Sequence, residues 1–244
     1  MGILLAIVRL VIFLNIAFFS AIFIFLCRIF ALPQSVVFFI FRAAKRLIRF
    51  FLGIRVSYHG ERPAVRGVIM ANHRSYIDIV LIPSKVPYVI VAKKQVRSWP
   101  VVGLVGIALK VIFVDRDSPE SRRNTRHAIR DRLKEKLSVL IFPEGTTYEG
   151  PGILEFKPGM FNTCAEDGFT VIPVAIEYEK KEMAWIGKDT FVPHFIRTFR
   201  NPLVRVAVSF GLPLSGNDAA VLRELTKNWV AAETFRLRGI WNGE

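Results

Sequence analysis

Residues Leu10 to Cys27 read LVIFLNIAFFSAIFIFLC, and Asn15 is the only strongly polar side chain among them. A run of that length is at the lower edge of what crosses a bilayer as a helix. It accounts for a hydrophobic content of 52% and a mean hydropathy of +0.37, both high for a water-soluble protein. No Asp or Glu occurs before Glu61, whereas Arg9, Arg28, Arg42, Lys45, Arg46, Arg49 and Arg55 all do. Basic residues interleaved with Phe, Ile and Leu suit an anionic lipid surface. The whole chain is basic, with 34 Lys and Arg against 20 Asp and Glu. It holds no zinc finger, RNP-type strand or Gly-rich KH loop, so nucleic acid is not an expected partner.

Pro33 should divide the first 53 residues into two helices. In the second, Gln34 to Leu52, the cations Arg42, Lys45, Arg46 and Arg49 recur at helical spacing and share one face. Val37, Phe41, Ala44, Ile48 and Phe51 share the other. That pattern predicts a helix lying in the membrane interface. Residues 1–53 are therefore read as membrane-associated helices, with membrane lipids as partners. A secretory signal is the competing reading. It is disfavoured because the segment lacks early charge and no small-x-small cleavage site follows. The two cysteines, Cys27 and Cys164, form neither a metal pattern nor a disulfide framework. A retained anchor with reduced thiols implies a domain at the cytoplasmic face of the inner (plasma) membrane.

From Ile54 the texture changes, and residues 54–244 are long enough for one domain with a proper core. Short β-branched runs predict strands at Arg55–His59, Gly67–Ala71, Tyr88–Ala92, Val111–Val114, Val139–Phe142, Thr170–Tyr178 and Val204–Phe210. Helices are predicted between them. One spans Pro119–Leu137, with Ser118 as cap and Pro119 at the first position. One spans Pro158–Asp167 and stops at Gly168. The last covers about Ala219–Leu237, with Leu222, Leu225, Trp229 and Ala232 on one face. Alternating strands and helices predict an α/β domain with a central mixed, largely parallel sheet flanked by helices.

Four runs could carry chemistry. Asn72-His73-Arg74-Ser75-Tyr76-Ile77-Asp78 follows a strand, where α/β folds place reactive groups. A histidine accepts a proton at neutral pH, and a carboxylate can hold one ring nitrogen and orient the other. Taken alone, the pair also fits a solvated histidine and a helix-capping aspartate. Phe142-Pro143-Glu144-Gly145-Thr146-Thr147 offers hydroxyls and backbone N–H groups to an anion or polyol, or is an ordinary turn. Arg116, just past Ile112-Phe113-Val114, could fork onto a phosphate or pair with Asp115 or Asp117. Val171-Ile172-Pro173-Val174 reads as a core strand. A serine hydrolase would want G-x-S-x-G, and no such run occurs.

Together and in this order, the four runs resemble the glycerolipid acyltransferase family. Its pattern is N-H-x4-D, an apolar strand ending in Arg, F-P-E-G-T, then V-I-P-V. Lys93-Lys94 before Pro100 and Gly103, and Phe156-Lys157-Pro158-Gly159, also match. The resemblance covers about residues 54–215. It implies that His73 takes the proton from an acceptor hydroxyl, that Asp78 orients His73, and that Arg116 binds the acceptor's phosphate. Glu144, Gly145 and Thr146 would shape the acceptor site, with Lys93, Lys94 and Lys157 as further anion contacts. The implied donor is acyl-CoA or acyl-carrier protein, with no metal and no cofactor. The implied acceptor is a lysophospholipid, namely the sn-2 hydroxyl of 1-acylglycerol 3-phosphate, giving phosphatidic acid. Thr147 is a departure, because many members using lysophosphatidic acid have Arg after E-G-T. Lyso-ornithine lipid, another lysophospholipid or glycerol 3-phosphate are the alternative acceptors. A membrane-binding protein without catalysis is the rival class, disfavoured by the presence of both His73 and Asp78.

Overall fold

The computed structural model describes residues 1–187 and 189–242. Two N-terminal helices, α1 (Gly2–Ile29) and α2 (Gln34–Phe51), meet at a turn before Pro33. The chain then runs β1 (Ile54–His59), β2 (Val68–Ala71), α3 (Asp78–Leu81), β3 (Tyr88–Lys93), α4 (Val102–Ala108), β4 (Ile112–Val114) and α5 (Pro119–Lys134). It ends with β5 (Ser138–Ile141), α6 (Gly159–Asp167), β6 (Val171–Tyr178), α7 (Phe191–Phe199), β7 (Val204–Phe210) and α8 (Ala219–Asn242). The seven strands form one sheet in the order β1-β7-β6-β2-β5-β3-β4. Every pairing is parallel except β6 with β7.

Both faces of the sheet's centre are covered, which is why β2, β5 and most of β6 are apolar runs buried throughout. Ile69, Leu140, Ile172 and Ile176 face α2 and α7 through Phe41, Ile48, Phe195 and Phe199. Their neighbours Met70, Val139, Val171 and Ala175 face α5, α6 and α8. Ser118 caps α5 by accepting from Ser121 N (3.1 Å), with Pro119 opening the helix. Gly168 ends α6 with φ +68°.

The helix faces differ from expectation in two places. On α2, Val37, Phe41, Ala44 and Ile48 are buried against protein, not presented to lipid. Lys45, expected among the water-facing cations, is only 3% exposed and donates to Ile82 O (2.7 Å) and to the Tyr88 hydroxyl. The apolar surface left open lies elsewhere: Leu4, Val11, Phe19 and Phe23 on α1, and Phe39 (71% exposed) and Phe50 (76%) on α2. On α8 the buried stripe is Leu222, Thr226, Val230, Thr234 and Leu237, while Leu225 is exposed. The two threonines are tolerated there because their hydroxyls donate back to Leu222 O (2.7 Å) and Val230 O (2.6 Å). Helices α4 and α7 had no counterpart in the sequence pattern.

Helix α1 packs on α2, α4 and α7. It is long and apolar enough to cross a membrane, and only 28% of its most apolar window is buried in the protein. One buried cation fixes it to the domain. Arg9 donates to Phe199 O (3.0 Å), Asn201 O (2.6 Å) and Pro202 O (2.8 Å), where α7 ends. Those carbonyls have no helical partner of their own, so a guanidinium satisfies them as a cap. Arg9→Met should cost about 2–3 kcal/mol, lowering the melting temperature in detergent by roughly 5–10 °C. An unchanged melting temperature would mean that α1 is held by apolar contact alone.

Candidate active site

Five parallel strands point their C-terminal ends the same way, so the loops after β2, β3, β4 and β5 converge at one sheet edge. The loop after β2 is the centre. Asn72 extends the strand with its side chain, donating to Ile176 O (2.9 Å) and accepting from Ile176 N (2.7 Å). The chain then turns into α3, whose first residue is Asp78. The five-residue spacing lets this carboxylate reach back under the turn. Its Oδ2 accepts from Arg74 N (2.7 Å), Ser75 N (2.9 Å) and His73 Nδ1 (2.8 Å). Its Oδ1 accepts from the Tyr178 hydroxyl (2.7 Å) at the end of β6. Burial beside Asp78 pushes the Tyr178 phenol up, so it stays a donor.

A carboxylate at Nδ1 fixes the proton there and leaves Nε2 as the ring nitrogen free to accept one. The His73 ring lies flat on Phe142, centroids 3.9 Å apart, and its side chain is 16% exposed. It borders a cavity of about 500 Å³. The walls are mostly apolar and include Phe13, Ala17 and Ile24 of α1 and Phe41 and Ile48 of α2. Near His73 the wall turns polar with Lys93, Arg116, Thr146 and Thr147.

The remaining sequence-predicted residues fall into two groups. Thr146, Arg116 and Lys93 reach the cavity. Arg116 is half-buried and donates to Gly145 O, and burial draws its guanidinium down from its ordinary value. Gly145 has φ +73°, and a Cβ there would lie 2.9 Å from Lys157 Nζ, so the turn requires glycine. Lys157 is exposed beside it and does not border the cavity. Lys94 turns away to Asp115 (3.4 Å). Glu144 is not on the cavity wall either. It is buried beneath the site, where Oε2 accepts from His73 N (2.6 Å) and Oε1 from Leu154 N (2.8 Å). Burial outweighs those two bonds and pushes its carboxyl up to about 7.

Several contributors carried no local signal in the sequence. Tyr178 was read only as a strand residue, and Phe142 only as the start of the F-P-E-G-T run, with no hint that it would stack on His73. Arg74 is buried and donates to Tyr148 O (2.8 Å), Gly150 O (3.1 Å), Gly152 O (2.9 Å) and Glu177 Oε2 (2.7 Å).

A family model described as Acyltransferase matches residues 54–177. The lyso-ornithine lipid O-acyltransferase of Rhizobium meliloti is 33% identical over 204 residues, spanning 75% of this chain and 69% of that one. The chain belongs to the acyltransferase family. A second lyso-ornithine lipid O-acyltransferase, from Pseudomonas aeruginosa, is 32% identical over 193 residues, spanning 75% of this chain and 72% of its own. The 1-acyl-sn-glycerol-3-phosphate acyltransferase of Neisseria gonorrhoeae is 32% identical over 128 residues, about half of each chain. In fold, this acyltransferase superposes on the crystal structure of the LPA acyltransferase of Thermotoga maritima. The TM-score is 0.76 over 97% of this chain and 96% of the other, at 20% identity.

The raised Glu144 carboxyl has a consequence for stability. Its folded value of about 7 lies above the 4.5 of a free glutamate. The folded protein therefore holds a proton that the unfolded chain releases, which stabilises the fold at low pH and is lost as pH rises through 7. This group should lower stability by roughly 3 kcal/mol between pH 5 and 8. In Glu144→Gln that component should vanish from melts recorded across the range, and transfer should weaken because one N–H now meets an amide donor. A pH-dependence identical to that of the native chain would place the titration elsewhere.

Proposed function

We propose that this acyltransferase moves a fatty acyl chain from acyl-CoA or acyl-carrier protein to the free hydroxyl of a lysolipid, with His73 and Asp78 as general base and orienter. The observation that carries the reading is a carboxylate-held imidazole at the polar end of a long apolar cavity. His73 Nε2 accepts the hydroxyl proton as the acceptor oxygen attacks the thioester carbonyl. A C–O bond forms, the C–S bond breaks, and the thiolate leaves with the proton returned by His73. No covalent enzyme intermediate, metal or cofactor enters these steps. The cavity's long run of apolar wall suits a fatty acyl chain. Its walls on α1 and α2 suit a substrate arriving sideways from the bilayer. The early cations and reduced thiols favour the cytoplasmic face.

The motif set favours 1-acylglycerol 3-phosphate as acceptor, acylated at sn-2 to phosphatidic acid, with Arg116 on the phosphate. A second acceptor, lyso-ornithine lipid, is favoured by two observations. Thr147 stands where an arginine would add charge, and the relatives matched over the greater length carry that substrate in their names.

Purified protein with oleoyl-CoA and each acceptor in turn separates the two. Transfer to either, lost roughly 1,000-fold in His73→Ala, supports the proposed chemistry; undiminished turnover in that variant removes it. Transfer confined to lyso-ornithine lipid assigns the second acceptor. Arg116→Ala should raise KM about tenfold or more for the phosphate-bearing acceptor and less for the other. Equal increases would assign Arg116 to holding the Gly145 turn.

A further inference from the structure

We infer that the C-terminal helix α8 sets the acceptor side of the active site, through Arg238. This rests on the reading of Thr146 and Thr147 as part of the acceptor wall. Residues 147–157 have no regular secondary structure, so their carbonyls must find partners outside a ladder. Those of Tyr148, Gly150 and Gly152 accept from the Arg74 guanidinium, and Gly150 O also accepts from Arg238 Nη2 (3.1 Å). Glu177 sits between the two arginines. Its Oε2 takes Arg74 Nη2 (2.7 Å), and its Oε1 takes Arg238 Nη2 (2.6 Å) and Nε (3.2 Å). Glu177 and Arg74 are both almost fully buried, so removing either would leave the other a poorly compensated buried charge.

Arg74 also joins the second wall of the cavity mouth. Its backbone oxygen accepts from Trp185 N (2.9 Å), and the Thr147 hydroxyl donates to Trp185 O. Tyr148 N donates to His73 O (3.0 Å). The strap after Thr147 thus hangs on one guanidinium, and the Trp185 segment and the base-bearing loop join it through the backbone oxygens of Arg74 and His73. That guanidinium is neutralised by one carboxylate, and Arg238 occupies the carboxylate's other oxygen. Without Arg238, Glu177 Oε1 is buried and unpaired, and Gly150 loses a partner. Glu177 then shifts, Arg74 follows, and the wall beside Thr147 loosens. His73 keeps Asp78 throughout. Arg238 is therefore a positioning residue for the acceptor, acting through Glu177 and Arg74.

Arg238 is the member to change, because its side chain is 28% exposed and sits in the last turns of a helix. Arg238→Met should raise KM for the lysolipid at least fivefold, with kcat reduced less than twofold and KM for oleoyl-CoA unchanged. Arg238→Lys, which keeps charge without the fork, should fall between. Amide hydrogen exchange in residues 148–152 and at Trp185 should speed up in the same order, at least fivefold in Arg238→Met. Acceptor KM and exchange both at native values, even with a lowered melting temperature, would overturn the inference and leave Arg238 as packing. If the native protein acylates no lysolipid, the function reading fails by itself, and the exchange series still decides whether α8 holds the strap.

Discussion

Four hydrogen bonds converge on the Asp78 carboxylate, and the geometry of the site follows from them. A buried carboxylate without partners would cost several kcal/mol or take up a proton. Donors from His73, Arg74, Ser75 and Tyr178 offset that cost, and each also defines a position. The two backbone donors close the turn between β2 and α3. The imidazole is held by its Nδ1. The phenol ties the turn to the strand that neighbours β2 in the sheet. Three successive residues of β6 grip the motif: Ile176 holds Asn72, Glu177 holds Arg74, and Tyr178 holds Asp78. Glu144 secures the remaining backbone donor, at His73. His73 is thus supported from the sheet, from the loop after β5 and from its own turn.

That rigid edge meets an anchor built on a different principle. Helices α1 and α2 are joined to the domain largely by apolar packing, reinforced by Arg9 at one end and by Lys45 within. Apolar walls are non-directional and tolerate a chain that slides; a general base must be placed to within a fraction of an ångström. The cavity joins both regimes, aliphatic where α1 and α2 line it and polar at His73. The surface left open on the same two helices is apolar enough to sit in lipid. A single pair of helices therefore packs one face on the domain and leaves another, apolar face open.

The seven strands were legible in the sequence because a sheet covered on both faces needs uninterrupted apolar runs, and such runs stand out between polar helices. Strand-end loops were legible for the same reason: Asn72–Asp78 and Phe142–Thr146 begin where apolar runs stop. Partnership across the fold was not. Tyr178 meets Asp78 from one hundred positions away, and Arg238 meets Glu177 only because α8 returns over β6. Periodicity marked the apolar stripe of α2 but could not say whether protein or lipid covers it. On α8, Thr226 and Thr234 counted as polar, although their hydroxyls are satisfied within the helix. Glu144 looked like a group for substrate because it sits between glycine and proline in a loop. Its two backbone donors turn it inward.

Gly145 keeps cations close to the turn even though position 147 is a threonine. Its backbone oxygen takes Arg116, and the space where a side chain would stand is occupied by Lys157. One residue thus has a cation on each side, Arg116 at the cavity and Lys157 outside it. The Thr147 hydroxyl is engaged by Trp185 O. That bond ties the turn to the Trp185 segment, which also lines the cavity. Arg116 borders the same cavity as Thr147 and Trp185, so one cation remains beside that turn.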